Sequence, residues 1–296
     1  MSSAKTSPTR PAIVEAAAHG KKAALEKLLA DGADINVVDH VGHSALSLAA
    51  AFSNVQGAEA LIELGIDLSL HGPKALRSAS TKSLPIVKLL VERGVDIEYC
   101  VADMVYPYRA TPLAAAASAN RIDVVRYLLE QGANAAFVNN YGERPYHYAL
   151  RNKNVELAEL LRSHEPAALH DTNAMVTKWK ALGLPDEVFT TLSKSVERIR
   201  LTRSSMDIGF IKLCTPIEIT QIEDEGHVLL TLVSEIEHYG AAGAISWDTQ
   251  RKAFVSYDIE HKELRVLPNF SWTAFVESPT PIIDAIFSGE LDTLSK

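Results

Sequence analysis

Four segments of the chain end alike: LLADGADIN (28–36), LIELGIDLS (61–69), LVERGVDIE (90–98) and LLEQGANAA (128–136). Each sets two aliphatic residues ahead of a glycine (Gly32, Gly65, Gly94, Gly132) and an Asp or Asn two residues beyond it. An apolar residue stands one position later: Ile35, Leu68, Ile97 and Ala135. This is the pattern of a helix C-terminus, where glycine takes the left-handed conformation that stops the helix and an apolar residue folds back on the last turn. One copy constrains little. Four copies in register require a row of stacked helical units.

The glycines lie 33, 29 and 38 residues apart, close to 33 per unit on average. A second motif recurs between them: SALSLAA (44–50), KALRSAS (74–80), TPLAAAA (111–117) and RPYHYAL (144–150). With this period and this Thr-Pro-Leu-His-Leu-Ala-Ala-like first helix, residues 8–165 resemble ankyrin repeats, with KALRSAS the poorest match. PAIVEAAAHGKKAALEKLLADG (11–32) reads as an N-terminal cap, and NVELAELLRSH (154–164) as a closing repeat with His164 in the glycine position. The resemblance implies an all-α solenoid of about five helix pairs, in which His147 braces adjacent turns.

The distance from first-helix motif to the following glycine holds at 21, 20 and 21 residues, whereas glycine to next motif varies as 12, 9, 17 and 12. Helices must match their neighbours to bury a shared core, so variation is confined to the connecting fingers, which are free to follow a partner. The longest finger, YCVADMVYPYR (99–109), offers Tyr99, Met104, Tyr106, Tyr108 and Arg109. Its neighbours offer His40 and His43 on one side and Asn139, Asn140, Tyr141 and Arg144 on the other. Tyr and Arg are enriched at interfaces because each joins a large contact area to a hydrogen bond. The competing expectation is that about half of these tyrosines fold the insertion onto the repeats.

Repetition stops near HEPAALHDTNA (164–174), where Pro166 ends the last helix, and residues 173–296 form a second domain. NAMVTKWKALG and PDEVFTTLSKSVERIRL have helical spacing. DIGFIKLC (207–214), HVLLTLVSEIE (227–237), GAISWDTQ (243–250), KAFVSYDI (252–259) and KELRVLP (262–268) are β-branched and aromatic runs between short turns, which predicts an antiparallel meander. A last helical part starts near Phe270 and is interrupted around Pro279 and Pro281. The fold class is therefore two-domain, an α solenoid followed by an α+β domain. Residues 244–277, with SWTAF (271–275), and LGLPDEVFTTLSK (182–194) resemble the closing meander and the opening helix of SUKH (Smi/Knr-like) domains. The Gly-Asp segment of that family is here only YGAAGAISWD, and its Asp-His pair is Asp258-Ile259.

No metalloprotease, phosphate-loop, nucleophile-elbow or Cys-x-x-Cys motif occurs, so neither an enzyme nor a cofactor is expected. The two cysteines, Cys100 and Cys214, read as separate thiols of a reducing cytosol. No apolar run approaches the ~20 residues of a membrane span, and the N-terminal MSSAKTSPTRP reads as a short disordered tail. The formal charge of −8 argues against a nucleic-acid partner. Most of it falls after residue 173, including Glu223, Asp224, Glu225, Glu235 and Glu237, an array suited to a basic protein partner, with solubility as the plain alternative. The two resemblances together imply a cytosolic immunity protein that occludes a toxin effector. The alternative is an ankyrin scaffold or adaptor for a cellular protein.

Overall fold

The computed structural model describes residues 10–193, 198–267 and 269–291; residues 1–9 of the expected N-terminal tail lie outside them, whereas Arg10 is held by Asp39 and Pro11 caps the first helix. The chain forms two compact units, Met1–Phe137 with Arg144–His164 and Val138–Glu143 with Glu165–Lys296.

The first unit is five helix pairs: α1 (Ala12–His19) with α2 (Lys22–Ala30), α3 (Ala45–Ala51) with α4 (Val55–Glu63), and α5 (Leu68–Ser80) with α6 (Leu84–Val91). Then come α7 (Pro112–Ser118) with α8 (Ile122–Glu130) and α9 (Pro145–Arg151) with α10 (Val155–Arg162). Every second helix fully buries leucine: Leu25, Leu61, Leu90 and Leu128 in turn, and both Leu157 and Leu161 in the last. The first helices bury alanines (Ala45, Ala49, Ala50, Ala116, Ala117), whose small side chains let neighbouring helices approach closely. Asn54 and Asn152 tie repeats together. Their side-chain amides donate to Ala17 and Gly20, and to Ala117 and Ser118, satisfying carbonyls at the ends of α1 and α7.

Each predicted glycine stop is left-handed, with φ of +91°, +87°, +77° and +89° at Gly32, Gly65, Gly94 and Gly132. The N–H of the next residue closes the cap on the carbonyl five back: Ala33 to Leu28, Ile66 to Leu61, Val95 to Leu90 and Ala133 to Leu128. Ile66, Val95 and Ala133, directly after the glycines, are buried, and the expected residues three beyond pack on the same core: Ala135 is buried, and Ile35, Leu68 and Ile97 are partly buried against it. The shortest connection also departs from expectation. Asp67 accepts from the N–H groups of Ser69 and Leu70, and α5 begins at Leu68. Residues 68–73 are thus helix rather than finger.

In the second unit a 3-10 turn (Ala167–His170) leads to α11 (Thr172–Ala181) and α12 (Asp186–Leu192). Ile199–Arg200, expected to continue a helix, is instead strand β1. With β2 (Phe210–Leu213) and β5 (Val233–Ile236) it makes a three-stranded antiparallel sheet in the order β1-β2-β5. A five-stranded antiparallel sheet, β3-β4-β6-β7-β8, is formed by β3 (Thr220–Asp224), β4 (His227–Thr231), β6 (Ser246–Asp248), β7 (Ala253–Asp258) and β8 (Glu263–Val266). The run at 227–237 divides at Leu232, whose N–H donates to Ile245 and whose carbonyl accepts from Cys214, so its halves serve different sheets. Short helices α13 (Trp272–Glu277) and α14 (Thr280–Ser288) close the unit. Ser271 caps α13, and Trp272 and Phe275 are buried beside Phe254 and Trp179 in the core.

Candidate protein-binding surface

The long finger is organised by a residue outside it. On α5, Leu70, Lys74 and Arg77 fall at i, i+4 and i+7, one face of the helix. Arg77 is completely buried. Its guanidinium donates to the carbonyls of Val101 (2.8 Å) and Ala110 (3.1 Å), and so holds both ends of the finger. A third bond, 2.5 Å, reaches Asp103 Oδ2. The rings of Tyr99 and Tyr106 face the same guanidinium at 4.8 and 4.6 Å. A buried arginine demands this much: an anion, carbonyl acceptors and π faces in place of water.

Asp103 works at both oxygens. Oδ1 accepts from the N–H groups of Val105 and Tyr106, both 2.8 Å, making the turn at the tip, while Oδ2 faces Arg77 and, at 3.6 Å, Lys74. Burial alone would raise its pKa. The Tyr106 N–H and the Arg77 charge outweigh that and hold the carboxyl below its ordinary value. Tyr106 is pushed up to about 12, first by burial and then by Tyr108, against the pull of Arg77. Lys74 also donates to the Gly42 carbonyl at 3.1 Å, linking the first finger to the long one.

What this frame presents outward is apolar. Val101, Met104 and Val105 are 60, 79 and 55% exposed, and Leu70 on α5 is 65% exposed. A loop pinned by buried polar bonds, with its large hydrophobics turned to solvent, has surface to bury against a partner and little conformational freedom to lose in doing so.

The expected site residues divide accordingly. Met104 is at the tip, and Arg109, exposed at φ +61°, turns its guanidinium to Cys100 Sγ (3.5 Å). Tyr99 and Tyr106 are half-buried and serve the frame, their rings on Arg77; Tyr108 packs edge-on to Tyr106 at 6.1 Å. In the first finger His40 is exposed, whereas His43 Nδ1 lies 3.3 Å from the buried Asp39. Asn140 is exposed and Tyr141 half-buried; Asn139 is buried and accepts from the N–H groups of Tyr141 and Glu143. Arg144 is buried at the N-cap of α9, its N–H donating to His147 Nδ1 at 2.9 Å, a bond within that helix's own first turn.

The five acids do not form one surface. Glu223, Asp224 and Glu225 lie on the β3–β4 hairpin; Glu235 and Glu237 lie on and just after β5, in the other sheet. Four are also engaged, Glu223 by the Gln221 side-chain amide at 2.6 Å. Asp224 accepts from Tyr257 (2.9 Å) and Lys262, Glu235 pairs with Arg198 (2.8 Å), and Glu237 accepts from the Gly209 N–H (2.7 Å).

Arg77, Lys74, Val101 and Val105 belong to this candidate surface and stand outside the residues expected from the sequence. The signal for Arg77 was present. It stands where His147 stands in its own motif, in the poorest-matching repeat, directly ahead of the longest finger. Among the described residues no cluster of His, Cys, Asp and Glu could hold a metal ion, and no helix is long and apolar enough to cross a membrane.

Stacked helix pairs with one built-out finger define a solenoid module for holding another protein. The family model for ankyrin repeats (three copies) matches residues 13–100 and 99–173, more than half of the chain. The chain belongs to the ankyrin-repeat proteins, and protein–protein interaction is the role that these repeats imply. Over 156 residues it is 29% identical to the mitochondrial disaggregase of Bos taurus, an alignment spanning 52% of this chain and 23% of that protein.

Proposed function

We propose that the chain is a non-catalytic adaptor of the cytosol that grips a protein partner with its long finger. The observation that carries this is the Arg77-built loop, which turns Val101, Met104 and Val105 to solvent on a fixed frame. Apolar anchors on a rigid loop are what an interface core needs, and each true anchor contributes about 2 kcal/mol or more. Affinity capture with the parent and with a Val101→Ser/Met104→Ser/Val105→Ser variant tests the reading. The variant should keep the parent melting temperature and lose the partner. A partner retained at full affinity would place the contact elsewhere.

A finer reading makes the partner a toxin effector that the chain neutralises by occlusion. It is favoured by the second unit's five-stranded antiparallel sheet followed by the Ser271-capped helix of SWTAF, the arrangement implied by the SUKH resemblance. The divided acids favour no single electrostatic grip, so occlusion would rest on the finger. Coexpression with the product of a neighbouring gene that is toxic alone decides it: rescue of growth supports neutralisation, and unrelieved toxicity removes it.

A further inference from the structure

The outer edge of β8 carries a self-complementary pairing sequence. In the five-stranded sheet β8 has one neighbour, β7, and three of its four residues are exposed: Glu263, Arg265 and Val266. The phase of its hydrogen bonds follows from the ladder. Leu267 N–H donates to the Phe254 carbonyl at 2.9 Å, in register with Ser256↔Arg265 and Asp258↔Glu263. In an antiparallel pair the bonded positions alternate, so Leu267, Arg265 and Glu263 direct their backbone groups to β7. Leu264, between them, directs its N–H and C=O away from the sheet.

We propose that β8 is a docking edge for a second copy of this chain, paired antiparallel about Leu264. At that register Leu264 meets Leu264 of the second copy, and each gives one N–H and takes one, as the outward phase of its backbone requires. Glu263 then stands opposite Arg265 of the second copy, and Arg265 opposite its Glu263. Both are non-hydrogen-bonded pairs, the positions where cross-strand side chains come closest. Within the strand pair, charge is thereby complementary at both positions of this face. Edge strands ordinarily use charges to repel other strands, and β8 has such charges. Their order, Glu-Leu-Arg, turns repulsion into attraction in this one register. Within a single chain Arg265 Nη2 pairs with Glu263 Oε2 on its own strand at 2.9 Å, so the same groups are already poised on one face of β8. Of the outer strands among the described residues, only β8 sets opposite charges on either side of one residue; β1 is just Ile199 and Arg200, β3 has Gln221, Glu223 and Asp224, and β5 a single glutamate. The partner is a second copy because the match is of the strand with itself.

One short strand pair buries little, so association in the upper micromolar range is expected. Sedimentation of the full chain over a concentration series, with charge variants, tests the pairing. Glu263→Arg alone sets Arg against Arg, and Arg265→Glu alone sets Glu against Glu; each should weaken dimerisation at least tenfold, about 1.4 kcal/mol. The double variant restores complementarity and should regain the parent constant. Mixing the two single variants should give a heterodimer, since each supplies what the other lacks. A parent that stays monomeric to about 1 mM overturns the proposal. So does a dimer indifferent to the single changes, or a mixture of single variants that fails to associate.

Discussion

Asp39 and Asn139 hold the same turn in two different fingers. Each accepts from the N–H two residues on and four residues on: Val41 and His43 for Asp39, Tyr141 and Glu143 for Asn139. The backbone bonds correspond as well, from Asp39 N–H to His43 O and from Asn139 N–H to Glu143 O. Both side chains sit where an oxygen acceptor is needed and a charge is optional. Asp39 adds charge, and uses it on Arg10 at 2.9 Å and on His43.

That equivalence makes Asp39→Asn a selective change. Burial would raise the Asp39 carboxyl, but the His43 N–H, Arg10 and the His43 side chain bring it down to about 2. A carboxyl lowered on folding stabilises above its unfolded pKa of ~3.9 and loses that contribution as pH falls through the folded value. The shift corresponds to about 2 kcal/mol at most. The asparagine variant should therefore keep the finger, be less stable than the parent by about 1–2 kcal/mol at pH 6, and match it near pH 2. Denaturant titrations at the two pH values measure the gap. A gap that does not narrow would show that the charge of Asp39 contributes nothing.

The frame and the tip of the long finger should separate under mutation. Arg77→Met leaves Asp103 with Lys74 alone and strips both finger ends of their donor, a loss of about 3 kcal/mol by analogy with broken buried ion pairs. Tyr106→Ala removes a ring from the guanidinium and should cost about 2 kcal/mol. Met104→Ala should fall within about 0.5 kcal/mol of the parent, because its side chain is in water. Urea unfolding together with amide exchange over 99–110 resolves the three. A silent Tyr106→Ala would mean that the ring does not build the loop.

The same contrast shows what was legible in the sequence. Helix pairs and glycine stops obey local rules, so Gly32, Gly65, Gly94 and Gly132 mark their positions directly. The strands from Ala253 to Val266 were legible for the same reason, since alternation and turns are local. Which of the finger tyrosines fold the insertion was not legible, because the packing of Tyr99 and Tyr106 depends on Arg77, more than twenty residues earlier, and a side chain's direction is not written in its own neighbourhood. The grouping of the acids was hidden for a similar reason. Glu225 and Glu235 are close in sequence, but the break at Leu232 sends the two halves of one run into different sheets. Residues 68–73 became helix because Asp67 caps there, a local signal overlooked in favour of the repeat spacing.

The glycine stops permit a prediction whose sign depends on backbone conformation alone. A Cβ built on Gly65 or Gly94 meets no atom within 4 Å, so the cost of a side chain is the left-handed φ itself. Gly94→Ala should destabilise by about 1–2 kcal/mol, Gly94→Val by more, and Gly94→Asn by less, because asparagine tolerates this region and β-branched residues do not. Gly65 should give the same order. Lys153 provides the reverse experiment, since it holds φ +55° just after α9 without being glycine. Lys153→Gly relieves the strain but enlarges the freedom of the unfolded chain, so a net gain of up to about 1 kcal/mol is expected. Thermal melts of the four variants at Gly94 and Lys153 suffice. If Gly94→Val melts with the parent, the left-handed stop does not govern the stability of the stack.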